Sequence, residues 1–248
     1  MKRWLAALGT AGAVVLAVNY VRGRLTVERH VADYAGHWRR RDPIPDDAIH
    51  YVALGDSAAQ GVGASTVEAG YVSLLAGRIA EATGRQVAVT NLSVSLATTR
   101  DVVRDQLPRL AELGRAPDIL TLDVGGNDVV LPGNNLVSFE KHFADIVTAL
   151  PRGSFVADVP WFTLPGFSQR SDEFTKAAVP LITLHGHHRV PLHPAARALG
   201  PLRYHQATAG DWFHPNDAGH RAWADLFWEV MEPELTQRRW ARVELAAD

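Results

Sequence analysis

Between residues 49 and 231 the chain alternates short apolar runs with longer runs of helical period, and that alternation restricts its fold more than any other feature. "IHYVALG" (49–55), "QVAVTNL" (86–92), "DILTLDVGG" (118–126) and "SFVADVP" (154–160) read as strands, with "RVPLHP" (189–194) as a short fifth. Helical spacing runs through 70–84, where Gly84 is a natural stop, and through 98–114, where Pro108 kinks or interrupts it. It returns over 135–150 and 215–231. The third strand is apolar through its centre, as expected of a strand covered on both faces. The pattern predicts one α/β domain with a mostly parallel sheet and helices on both faces. In such sheets ligands bind beyond the carboxyl ends of the strands.

Composition removes several classes of function. The formal net charge is −2, so no basic excess exists to neutralise nucleic-acid phosphates, and nucleic acid is not expected as a partner. The chain has no cysteine, which excludes disulfides, thiolate zinc sites and iron–sulfur clusters.

The N-terminus differs from the rest. Lys2 and Arg3 precede the apolar run "LAALGTAGAVVLAVNYV" (5–21), which Arg22 and Arg24 close. Residues 1–24 read as an uncleaved membrane anchor, with a cleaved signal-like segment and a buried helix as alternatives. The flanking charges leave its orientation open; the extracytoplasmic side is preferred, and a cleaved segment implies secretion. Turnover is expected to survive its removal. Residues 25–46 carry Arg39, Arg40, Arg41, Pro43 and Pro45 and read as a basic linker, at lipid headgroups or simply solvated. "TVERHVADYAGHW" (26–38) within it has helical spacing. Residues 236–248 read as a tail.

Polar residues gather where the first three strands end: Asp56 and Ser57, then Asn91 to Ser95, then Asn127 and Asp128. Any one is explained by a helix cap; three on one rim suggest a site. Ser57, where strand gives way to a presumed helix, is either a cap or a nucleophile. A hydroxyl nucleophile needs a base, and the base needs a partner that orients it. "GDWFHPND" (210–217) supplies both. Asp211, three residues before His214, can fold back onto Nδ1 and leave Nε2 free to face a serine. Pro215 suits the first position of the following helix. Acyl transfer also requires donors for a developing oxyanion. The backbone N–H of Ser57 and the "GGND" turn (125–128) offer them, with Gly125 and Gly126 permitting a sharp turn and a close approach. Asp56 and Asp128 read as turn chemistry.

"GDS" (55–57), the Asn-led turn at 91, "GGND" (125–128) and "DWFH" (211–214), in that order, resemble the four blocks of the SGNH (GDSL-type) hydrolases. The resemblance spans roughly residues 48–232 and implies a hydrolase domain over 47–235. It implies a three-layer flavodoxin-like fold with a five-stranded sheet. It makes Ser57 the nucleophile, His214 the general base and acid, and Asp211 its partner. Ser57, Asn127 and a second-block residue become the oxyanion donors. That residue is usually glycine, and here "NLSVSLATT" (91–99) places Leu96, whose side chain restricts the turn and crowds the pocket floor. No G-x-S-x-G elbow occurs.

The implied activity is cleavage of a lipid-like, aryl or acetyl carboxylic ester through an acyl-enzyme, with no cofactor or metal. An acyltransferase or glycan deacetylase with the same residues is one alternative; a tethered binding module without catalysis is another. Trp161, Phe162 and Phe167, in a segment read as a loop (161–174), form an acyl-pocket candidate with Trp212 and Phe213. The same residues covering a sheet edge is the plainer alternative. "HGHH" (185–188), His193 and His205 match no usual zinc spacing. "GVG" (61–63) lacks the lysine of a phosphate-binding loop.

Overall fold

The computed structural model describes residues 2–40 and 43–237, with side chains from residue 18 onward; Arg41, Asp42 and most of the expected tail lie outside the described residues. Five strands, β1 (Ile49–Gly55), β2 (Val87–Asn91), β3 (Ile119–Asp123), β4 (Phe155–Ala157) and β5 (His188–Val190), form one sheet in the order β2-β1-β3-β4-β5. Every pairing is parallel. The order reverses between β1 and β3, so the crevice at their carboxyl ends is the topological switch point of a flavodoxin-like sheet.

β1 is buried along its whole length because both faces are covered. Val52 and Leu54 point into one core, with Phe139 and Phe143 of α6 (Leu136–Ala149) and Phe174 of α7 (Pro165–Leu184). Ile49, Tyr51 and Ala53 point into the other, with Tyr71 and Leu75 of α2 (Tyr71–Thr83) and Phe227 of α9 (Asp217–Gln237). α2 ends at Gly84 in the left-handed conformation, as its position predicts. Around Pro108, α3 (Thr99–Asp101), a π-helical stretch (Val102–Gln106) and α4 (Leu107–Ala111) follow one another without a break. The proline has no N–H to donate, so the ladder widens rather than stops. α5 (Gly126–Val130) is one short turn after β3.

The N-terminal run is corrected by the structure. α1 (Lys2–Arg39) is one continuous helix, and among the described residues no helix is long and apolar enough to cross a membrane. The 17-residue run is broken by Gly9, Thr10 and Gly12, then gives way to Arg22, Arg24, Glu28 and Arg29 along the same helix. The membrane anchor, the membrane partnership and the membrane-based localisation therefore have no support. Instead, the second half of α1, which includes most of the expected linker, lies on the domain. Val27 and Tyr34 are buried against Val62 and Val67.

Two further helices go beyond the sequence reading: α7 takes in most of the expected 161–174 loop, and α8 (Leu192–Gln206) starts within the run read as the fifth strand. α7 opens at Pro165, at the first-turn position that tolerates its missing N–H. α8 bends at Gly200, ahead of Pro201.

Candidate active site

The chain leaves β1 into consecutive turns over residues 57–63, and the next α-helix starts only at Tyr71; Ser57 therefore does not open a helix. These turns are pinned by polar groups from distant parts of the chain. Gln106 pairs with both backbone groups of Gly55, at 3.0 and 2.7 Å. Asn91 donates to Ala59 O at 2.7 Å, and Gln60 donates to Ser93 O at 2.9 Å. Ser65 donates through its N–H and hydroxyl to Asp217 at the start of α9. The buried His220 accepts from Tyr71 N–H at Nδ1 and donates from Nε2 to Val62 O. Burial pushes its pKa down to about 4, so it serves as a neutral strut.

His214 stands on a loop closed by a Thr208–Pro215 bridge and by Ala209 N–H donating to His214 O at 2.7 Å. Asn216 follows, accepting from the N–H groups of Ala218 and Gly219, and α9 begins at Asp217. The cap is thus Asn216, and Pro215 belongs to the bridge rather than to the first helical position. Within the loop Asp211 divides its oxygens. Oδ1 accepts the N–H groups of Phe213 and His214 at 3.1 Å each, and Oδ2 meets His214 Nδ1 at 2.6 Å. Burial alone pushes the Asp211 carboxyl up. The hydrogen bond and charge of His214, with the two N–H bonds, outweigh it and hold the group below the usual carboxylate range. On its other side His214 Nε2 lies 2.9 Å from Ser57 Oγ. Ser57 and His214 thus meet, with Asp211 behind the imidazole.

Gly63 explains the "GVG" sequence. It lies at φ +99°, and a Cβ there would fall 2.3 Å from Pro215 O and 2.9 Å from His214 Cβ. Only a glycine lets the serine loop and the histidine loop approach this closely.

The remaining expected donors are close by. Leu96 adopts φ +67°, in the left-handed region that favours glycine, at a strain of roughly 1–2 kcal/mol. Leu96 is 65% exposed and lines the cavity beside Ser57. Asn127 is buried in α5, and its Nδ2 donates to Ala97 O at 3.0 Å and, over a longer 3.3 Å, to Asp56 Oδ2. Gly125 turns the chain at φ +117°, and Gly126 starts α5. Asp128 accepts from Thr99 N–H at 2.9 Å and from its hydroxyl at 2.7 Å, tying α5 to α3. Asp56 accepts from Ala58 N–H at 3.0 Å.

Burial raises the Asp128 pKa from 3.8 to about 6, against the lowering effect of the Thr99 bonds. A raised carboxyl favours the folded state fully below its unfolded value, and that contribution is lost as pH rises through about 6. Asp128→Asn removes the titration. The stability difference between parent and variant should therefore shrink by about 2–3 kcal/mol between pH 4 and pH 7.5. Urea unfolding at the two pH values measures it; a difference independent of pH would contradict the assignment.

The five aromatic residues separate. Trp161 and Phe162 are buried, Trp161 donating to Ser168 Oγ at 2.9 Å and Phe162 stacking on Phe213 at 5.6 Å. Phe167 packs on the same core. Trp212 is exposed, and Phe213 alone of the five lines the cavity of about 450 Å³ beside Ser57, with Ser95, Leu96, Asp211 and His214. The histidine cluster disperses: His187 meets Val147 O, His188 stacks on Phe155, and His205 lies by Thr163. Among the described residues no three metal-ligating side chains converge.

A parallel sheet with a serine, a histidine and an aspartate in contact at its switch point defines the chain as an α/β ester hydrolase. It belongs to the GDSL-like lipase/acylhydrolase family, whose sequence model matches residues 53–222. A GDSL-like esterase of Mycobacterium tuberculosis is 26% identical over 235 residues, covering 88% of this chain and 69% of that protein. The lipase/acylhydrolase from Enterococcus faecalis superposes with a TM-score of 0.61 at 20% identity, over 75% of this chain and 96% of that one. An acetylxylan esterase from Geobacillus stearothermophilus gives 0.59 at 22%, over 79% and 97%. At those identities the two structures share the fold. The chain is a carboxylic ester hydrolase.

Proposed function

We propose that the chain cleaves carboxylic esters through an acyl-enzyme on Ser57. The observation that carries this reading is the continuous contact from Asp211 Oδ2 through both nitrogens of His214 to Ser57 Oγ, at 2.6 and 2.9 Å. His214 Nε2 takes the hydroxyl proton as Oγ attacks the ester carbonyl, and Asp211 steadies the imidazolium. The proton then passes to the leaving alkoxide. Water repeats the sequence on the acyl-enzyme and frees the acid.

The oxyanion falls to the N–H groups of Ser57 and Leu96 and to Asn127 Nδ2. The left-handed turn at Leu96 supports this assignment, since that conformation is one glycine, the usual residue of this block, adopts readily. The bond Asn127 Nδ2 donates to Ala97 O orients the amide, and its longer bond to Asp56 is the one an oxyanion replaces. The cavity volume suits a small-molecule ester. The structural neighbours include a lipase/acylhydrolase and an acetylxylan esterase, both acting on esters.

Labelling with a fluorophosphonate tests the reading. Phosphonylation is expected at Ser57 alone and absent in Ser57→Ala. Labelling that survives this substitution would overturn it.

A further inference from the structure

The cavity beside Ser57 has two sides, and only one comes from the residues the family model matches. The other is α1: Tyr20, Arg24, Val27, Glu28 and Val31 face Ser57, Leu96, Phe213 and His214 across it. Val27 and Val31 are one turn apart, so they present one apolar stripe to the cavity. Arg24 and Glu28 line the same cavity and pair with each other at 3.2 Å, so the wall is an apolar stripe beside a neutralised charge pair.

α1 also touches the machinery itself. Gly23 lies backbone to backbone on Gly210, next to Asp211: a Cβ on Gly23 would stand 2.4 Å from Gly210 C, and one on Gly210 would stand 2.7 Å from Gly23 Cα. Tyr20 lies against Trp212, with ring centroids 5.3 Å apart. Trp212 is held at φ +59°, a conformation a tryptophan rarely adopts without external support. Farther along, Tyr34 donates to Ala64 O at 2.8 Å and Trp38 Nε1 donates to Gln60 O at 2.9 Å. Gln60 in turn holds Ser93 and Ser95, on the turn that carries Leu96. One helix thus reaches the loops that present the serine, the histidine and the Leu96 amide.

We propose that α1 is a working part of the active site: its Val27–Val31 stripe is the acyl-selecting wall of the ester pocket, and its Gly23–Gly210 contact braces the loop that carries Asp211 and His214. The substrate class that follows is an ester with an apolar acyl chain longer than acetyl, lying along the stripe. This rests on the acyl-enzyme reading above.

The test uses the full chain and p-nitrophenyl acetate and octanoate, with fluorophosphonate labelling of the parent as reference. Val31→Trp fills the wall and should lower kcat/KM for octanoate relative to acetate by at least about tenfold. Val31→Ala opens the wall and should move the same ratio the other way, which keeps the test available if the tryptophan is not accommodated. Gly23→Leu lifts the helix from Gly210 and should lower kcat by about 10²-fold on both esters with thermal unfolding of the domain preserved, as expected when a catalytic group shifts by about 1 Å. An acyl preference unchanged in both Val31 variants would overturn the wall. An unchanged kcat in Gly23→Leu would overturn the brace. A parent that is not labelled at Ser57 would instead overturn the acyl-enzyme reading, so the two failures are distinct.

Discussion

Replacing Ser57 by alanine is expected to lower ester turnover by about 10⁵–10⁶-fold, leaving the residual rate that binding and oxyanion donors supply without a nucleophile. The fold should tolerate the change, because the hydroxyl bonds His214 Nε2 and the surrounding turns are pinned by Gln106, Asn91, Ser65 and His220. His214→Ala should cost about as much, since a serine without its base is a weak nucleophile. The double variant should be little worse than either single one. Steady-state kcat on an activated aryl ester measures all three. Two losses that multiply in the double variant would show that the residues act separately and would contradict the shared mechanism.

Asp211→Asn is the second large effect, at about 10⁴-fold in kcat. The amide oxygen can still accept the N–H groups of Phe213 and His214, so the loop should keep its shape. The amide nitrogen, however, then faces His214 Nδ1. That favours the tautomer with its proton on Nε2, which cannot accept from Ser57. In the parent, the hydrogen bond and charge of His214 overcome burial and keep Asp211 ionised to below the usual carboxylate range. The pairing should therefore persist through the neutral pH range. Kinetics beside a stability measurement separate the cases: a loss of less than about tenfold with the fold intact would remove Asp211 from its role.

The strands and the four polar blocks were legible because each depends on local pattern. Apolar runs bounded by Gly, Asn and Asp mark β1 to β4, and Asp211 precedes His214 by three residues in a loop tight enough to fold back. What escaped depends on distant partners. Gln106 and His220 are single polar residues in helices, and they meet Gly55 and Val62 only across 51 and 158 positions. No spacing rule connects them.

The first half of α7 was hidden because Pro165 and Gly166, beside Trp161, Phe162 and Phe167, read as an aromatic loop. Pro165 in fact opens the helix, and the buried aromatic rings belong to its packing. α8 was hidden by Gly200 and Pro201, which interrupt its period. α1 shows a different limit. Hydropathy measures how apolar a face is, not what covers it. Of its residues, Val27, Val31 and Tyr34 face the protein's own loops, so removing residues 1–24 would strip Tyr20, Gly23 and Arg24 from the site.

The most direct test of the central claim is rapid acid quench of the enzyme during turnover of a p-nitrophenyl ester, followed by peptide mass spectrometry. The account predicts the mass of the acyl group on the peptide containing Ser57, formed in step with the first burst of nitrophenol and absent from Ser57→Ala. Full turnover with no acylated Ser57 at any time, or acylation at another residue, would contradict it.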